Sequence, residues 1–168
     1  MIVIFTGDGK GKTSAALGTA LRASGWGYKV AVIQFIKGNK QIGEWQAIQK
    51  IDNIDIFQFL NDKKLMIGEP TDAHLDSMTK ALAATKAIIE SGEYKLIILD
   101  EINNAIYHKL VAIDQVISLI KHQPGIDFIL TGRKADSKLI DIADTVTEMK
   151  KVKHPFDQGK LATKGIDY

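Results

Sequence analysis

The chain of 168 residues has no cysteine and only three prolines. Without cysteine there is no disulfide framework and no zinc–thiolate site. No stretch is rich enough in Pro, Gly or Ser to be an interdomain linker, and neither a repeat nor a low-complexity segment is present. Collagen-like, coiled-coil and disordered classes are therefore excluded. No apolar run approaches the ~18–20 residues needed to cross a bilayer, and the start MIVIFTGDGK lacks a charged region followed by a long apolar one. A soluble cytoplasmic protein without a membrane partner is expected. Charge of one sign is scarce too: 22 Lys and Arg against 20 Asp and Glu leave a formal net charge of +2. That is a weak footprint for a duplex-DNA binder, and no nucleic-acid partner is expected. The histidines His74, His108, His122 and His154 show neither H-x-x-x-H nor H-E-x-x-H spacing, which argues against a transition metal held by the protein.

What is present is an ordinary globular composition, 45% apolar, in a length suited to one domain. Short β-branched runs alternate with helical patterns. Strands are expected at Ile2–Thr6, Lys29–Phe35, Ile54–Phe59, Lys95–Asp100, Asp127–Thr131 and Thr145–Met149. Helices are expected over Thr13–Ser24 with Gly25 as its cap, Ile42–Ile51, Thr71–Glu90 closed by Ser91-Gly92, Ala112–Lys121 and Ser137–Ile142. Asn61 to Pro70 reads as a polar loop and residues 154–168 as a C-terminal tail. Strands apolar on both faces and separated by helices imply a doubly wound α/β fold around a parallel sheet, in a single domain.

The chemistry begins at Thr6-Gly7-Asp8-Gly9-Lys10-Gly11-Lys12-Thr13-Ser14, placed between the first strand and the first helix. It resembles the phosphate-binding pattern G-x-x-x-x-G-K-[ST], with Thr6 at the position usually held by glycine. Gly7, Gly9 and Gly11 allow positive φ, so that successive N–H groups can turn toward one anion, and the helix N-terminus adds partial positive charge. Lys12 supplies a point charge to the phosphates, Lys10 a second cation, and the Thr13 hydroxyl a ligand for Mg²⁺. The fourth strand has the form of a Walker B segment, delivering Asp100 and Glu101 to the carboxyl edge of the sheet, where open α/β sheets bind ligands. Strand alternation directs the two carboxylates differently. These residues imply an ATP- or GTP-binding P-loop protein and leave the reaction open.

Four further segments, Val32–Gly38, Ile129–Arg133, Ala143–Met149 and Val152–Gly159, together with the closing Gly165-Ile166-Asp167-Tyr168, are similar to those of the P-loop corrinoid adenosyltransferases. That family also carries Thr at the start of its glycine loop. The resemblance spans most of the chain and implies a P-loop NTPase-like, RecA-like sheet. It implies transfer of the 5′-deoxyadenosyl group of ATP to the cobalt of a reduced corrinoid, with release of triphosphate. It further implies Mg²⁺ or Mn²⁺ with the nucleotide, a homodimer, and a flavoprotein reductant as a partner. Lys12 and Glu101 become the catalytic candidates. Glu101 is the first choice and Asp100 the second for the metal's carboxylate beside Thr13. Arg22 matches a family arginine and reads either as a nucleotide contact or as a solvated helix residue; Arg133 matches the family's Thr-Gly-Arg at the binding edge of the sheet and reads either as a nucleotide contact or as a salt bridge that ties down a loop. Lys37 and Glu44 lie in family-like positions, where Glu44 reads as a solvated loop residue.

The sequence departs from the family in two places. Typical members carry a Gly-Phe-Thr-Trp run after the third strand, an aromatic wedge against the corrinoid. This chain has Phe57-Gln58-Phe59-Leu60-Asn61-Asp62-Lys63-Lys64-Leu65-Met66, in which only Phe59 can partly stand in. Many members also begin with a segment that covers the site, whereas this sequence starts at Met1-Ile2, so a site that is more open, or covered by a partner, is expected. Two other readings stay open. One is a P-loop phosphohydrolase with Mg²⁺ on Thr13 and Asp100 and with Glu101 as base; the other is a nucleotide-binding module that has lost its acceptor site.

Overall fold

Six strands form one parallel sheet in the order β3-β2-β4-β5-β1-β6 in a computed structural model that describes residues 1–60, 71–159 and 161–167. The strands are β1 (Ile2–Thr6), β2 (Val30–Gln34), β3 (Ile54–Gln58), β4 (Leu96–Asp100), β5 (Asp127–Thr131) and β6 (Thr145–Glu148). The helices are α1 (Lys12–Gly25), α2 (Gly43–Ile48), α3 (Asp72–Ser91), α4 (Ile102–Tyr107), α5 (Ile113–Ile120) and α6 (Ser137–Ile142). Every element expected from the sequence is found within one residue of its expected bounds, except α2, which ends three residues early. There the chain tightens: the Lys50 and Ile51 N–H groups donate three residues back, to Ala47 and Ile48, instead of continuing the α-helical ladder. The polar loop Asn61 to Pro70 lies outside the described residues.

Two further corrections concern helix ends and number. The left-handed residue that closes α1 is Gly27, with φ 78°, and not Gly25, which is still helical. Helix α4 was not expected at all. Asn103 and Asn104 are poor helix formers, and six residues are too few for the i, i+3, i+4 spacing of Ile102, Ala105 and Ile106 to stand out. Ile102 and Ala105 bury themselves against the core and supply what propensity does not.

Alternation along the central strands decides which helix covers which face. Val30, Val32, Ile54, Ile56, Leu96 and Ile98 face Ala16 and Ala20 of α1 and Ile48 of α2. Ala31, Ile33, Ile97 and Leu99 face the opposite side, against Met78 of α3, Val116 of α5 and Leu139 of α6. Each buried aliphatic side chain of this kind contributes about 1.5–3 kcal/mol. The register pairs Gln34 with both Gln58 and Asp100, so these three polar residues follow the apolar positions that face α1 and form a row at the carboxyl edge. The sheet thus delivers its polar ends beneath the start of α1. No helix among the described residues is long and apolar enough to cross a membrane.

Candidate functional site

The loop between β1 and α1 is held by contacts that its glycines make possible. Gly7 and Gly11 have φ of 94° and 110°, the left-handed region, as expected. Gly9 does not. Its side chain is excluded for a different reason: a Cβ there would lie 2.6 Å from the Met149 carbonyl oxygen, in the backbone leaving β6. The Gly9 N–H donates to that same carbonyl at 2.6 Å, so this amide is spent on the scaffold and does not join a nest aimed at an anion. Thr6, where glycine is more usual, uses its hydroxyl to accept the Ala135 N–H at 3.2 Å and so ties the loop after β5 to the phosphate-binding loop. The Lys12 ammonium donates to the carbonyls of Gly7 and Gly9, at 2.7 Å each, inside the loop. Burial lowers the Lys12 pKa; Glu101 and Asp8 oppose the shift and Arg133 adds to it.

Asp100 is fully buried and accepts four hydrogen bonds, which fills the lone-pair sites of a carboxylate. Its Oδ1 takes the Thr13 and Thr131 hydroxyls at 2.8 and 2.7 Å. Its Oδ2 takes the Gln34 amide at 3.0 Å and the Lys37 ammonium at 3.0 Å. Burial pushes the Asp100 pKa up, but Lys37 and the hydroxyl donors outweigh it and hold the group below the ordinary carboxylate value. Gln58 extends the row by donating to Gln34 at 2.7 Å. The Lys37 ammonium also donates to Thr13 Oγ1 at 3.1 Å, so a residue that sequence reasoning left outside the site set stands at its centre.

Alternation predicts that Asp100 and Glu101 diverge; Asp100 is buried behind the cleft and Glu101 lines it, yet both act on the Lys37 ammonium. Glu101 has φ 63° and ψ 17°, a left-handed turn that ends the extended strand and starts α4. Both carboxylates therefore address one cluster. Glu101 Oε2 is buried without a hydrogen-bond partner among the described residues. Burial and the neighbouring Asp100 raise the Glu101 pKa, against Lys37, Lys12 and Arg133. A raised acid favours the protonated fold: its contribution is present below the ordinary carboxylate pKa of about 4.3 and is lost as pH rises through the higher folded value. Glu101→Gln is therefore expected to raise the thermal midpoint of the free protein at pH 8 by about 2–4 °C, the equivalent of ~1 kcal/mol in a chain of this size, and to leave it unchanged at pH 4. Thermal unfolding followed by circular dichroism checks this; a lower midpoint at pH 8 would contradict it.

These groups border a cleft of about 420 Å³. Of the expected site residues, Asp8 through Ser14, Glu101 and Arg133 line it, whereas Thr6, Gly7 and Asp100 stand behind it as supports. Arg22 is not brought to it; the residue is exposed in the last turn of α1, ten residues and ~15 Å along the helix from Lys12. Arg133 is positioned by the unexpected α4: Asn104 Oδ1 accepts its backbone N–H, and Asn103 and Asn104 pack against Gly132 so closely that a Cβ there would be 2.9 Å from Asn104 Oδ1. Glu44 lines the cleft and is not simply a solvated loop residue. Nor is the C-terminus a detached tail, since Gly165, Ile166 and Asp167 line the cleft and Asp167 pairs with Lys10. Phe59 is half-buried against the hydrophobic core; Asn61 to Met66 lie outside the described residues. The spacing of Ile102, Ala105 and Ile106 was the one visible signal for α4; for Asp167 only the family-like C-terminus offered one.

Comparison with known proteins gives the family and the fold. A family model described as "ATP:corrinoid adenosyltransferase BtuR/CobO/CobP" matches residues 1–168. The chain is 36% identical over 169 residues to the corrinoid adenosyltransferase CobA of Salmonella typhimurium, covering all of this chain and 85% of that protein. It is 36% identical over 172 residues to the corrinoid adenosyltransferase of Pseudomonas aeruginosa, covering all of this chain and 83% of the relative. Among solved structures, a KaiC-like protein, PH0186, from Pyrococcus horikoshii OT3 is similar in fold, with TM-score 0.56 and 16% identity, over 99% of this chain and 74% of that one.

Proposed function

The chain belongs to the ATP:corrinoid adenosyltransferase family, and from that premise we propose that it transfers the 5′-deoxyadenosyl group of ATP to the cobalt of a Co(I) corrinoid and releases triphosphate. The observation that carries this reading is the composition of the cleft. It gathers Lys10, Lys12, Lys37 and Arg133 at a helix N-terminus, and among the described residues its lining has no cysteine or histidine. Such a site suits a reaction in which the nucleophile arrives with the substrate. Two electrons of Co(I) form the cobalt–carbon bond to C5′ as the C5′–O bond breaks, and that bonding pair leaves on triphosphate. The protein's share is to hold C5′ in line and to stabilise the departing polyphosphate. Lys12, Lys10 and the N-terminus of α1 supply positive charge to it.

The residues fit a divalent cation. Among the described residues no three His, Asp or Glu gather to hold one alone. Mg²⁺ commonly takes a hydroxyl, one carboxylate and substrate phosphates. Thr13 would supply the hydroxyl and Glu101, whose Oε2 lacks a partner, the carboxylate. Asp100, with its acceptor sites filled, supports Thr13 from behind. When bound, Mg²⁺ or Mn²⁺ would neutralise charge on the triphosphate. The same reading carries with it a cytoplasmic homodimer supplied with Co(I) by a flavoprotein.

The test is anoxic incubation with Mg²⁺-ATP and a chemically reduced corrinoid. A light-sensitive cobalt–carbon bond with equimolar triphosphate is expected. Orthophosphate released without corrinoid would make the protein a phosphohydrolase, and nucleotide affinity with no product a binding module; either would overturn the proposal.

A further inference from the structure

We propose that Lys37 is a tethered cation that excludes divalent metal from the Thr13 hydroxyl until a polyphosphate draws its ammonium away, so that metal and nucleotide enter together. The inference deepens the proposed function and rests on the loop as the triphosphate site. Its basis is the bonding around two oxygens. The Thr13 hydroxyl gives its proton to Asp100 Oδ1 and receives an N–H from Lys37 at 3.1 Å. Thr13 Oγ1 keeps one further lone pair, but an ammonium 3.1 Å from it repels a divalent cation that approaches the same oxygen.

The four donors to Asp100 are not equally able to leave. Gln34 and Thr131 are buried at the ends of β2 and β5, and Thr13 sits in the first turn of α1. Lys37 alone comes from a segment outside helix and strand, on a stem of four methylenes, with its side chain 29% exposed. It also lines the cleft. A triphosphate there offers the ammonium stronger partners than a carboxylate already shared with three donors. Glu101 and Glu44, both on the cleft wall, are further anionic groups acting on the same ammonium. Lys37 is thus a positioning residue: it keeps buried Asp100 compensated in the free protein and makes the metal's affinity conditional on polyphosphate.

Mn²⁺ titration followed by electron paramagnetic resonance, without nucleotide and then with inorganic tripolyphosphate, tests this. Wild type is expected to bind Mn²⁺ weakly alone and at least tenfold more tightly with tripolyphosphate. Lys37→Met is expected to bind Mn²⁺ alone at least tenfold more tightly than wild type. Lys37→Arg, which keeps the charge, should restore weak binding. Should the Met variant fail to fold by circular dichroism, Lys37→Gln, which retains a donor for Asp100, carries the same expectation. Equal Mn²⁺ affinity of wild type and the neutral variants, or a gain in the Arg variant, overturns the role of Lys37. Absence of any tripolyphosphate effect in all the proteins overturns the loop assignment instead, so the two failures are distinct.

Discussion

Lys12→Ala is expected to lower the rate of adenosyl transfer by roughly 10²–10³-fold, the scale of losing one preorganised charge donor at a developing anion. The reason lies in where its ammonium is held. Lys12 is buried at the start of α1, and its Nζ bonds the carbonyls of Gly7 and Gly9, which fixes it inside the loop without a carboxylate partner at hydrogen-bond distance among the described residues. Burial without close neutralisation leaves a charge strong toward an incoming anion. The variant also leaves two loop carbonyls without this donor, at about 1–3 kcal/mol each if they stay dry. Transfer should therefore be measured beside thermal unfolding. A folded variant with unchanged transfer would mean that the triphosphate is held elsewhere.

Asp100→Ala is expected to cost roughly 3 kcal/mol of stability, toward the lower end of the range for breaking a buried ion pair, because Lys37 keeps some contact with water. In a chain of this size that lowers the thermal midpoint by about 6–12 °C. The loss has several parts. The Lys37 charge loses its closest carboxylate, and the Gln34 amide and the Thr13 and Thr131 hydroxyls lose an acceptor. The sign with pH follows from the depressed Asp100 pKa: its stabilisation is present above the ordinary carboxylate value of about 4 and is lost as pH falls through the lower folded value. Wild type and variant should differ in midpoint throughout pH 5–8 and converge only in strong acid. A difference under ~1 kcal/mol at pH 7 would mean that the four-donor arrangement around Asp100 adds nothing net.

Helix α4 and Lys37 mark the boundary of what could be read in advance. The glycine loop and the apolar run before Asp100 are written in adjacent residues, and each declares its element and its chemistry without reference to the rest of the chain. Helix α4 has no such declaration, since its two buried apolar residues matter only once the core exists to receive them. Gly9 was legible as a required glycine but for the wrong reason; the true one, the Met149 backbone against it, comes from the segment that leaves β6, far along the sequence. Lys37 was visible as a residue, yet nothing local distinguished it from a solvated loop lysine.

The sequence by itself determined the succession of strands and helices apart from α4, the glycine loop, the acidic edge of β4 and the family, because these are patterns of spacing and side-chain type over a few residues at a time. Only the tertiary structure decided that Thr13 meets Asp100 across 87 residues, that Lys37 bridges them, and that Asp167 returns to Lys10. Strand order makes these meetings. Polar contacts between distant segments have no period, and the free energy that selects them exists only after the sheet has assembled.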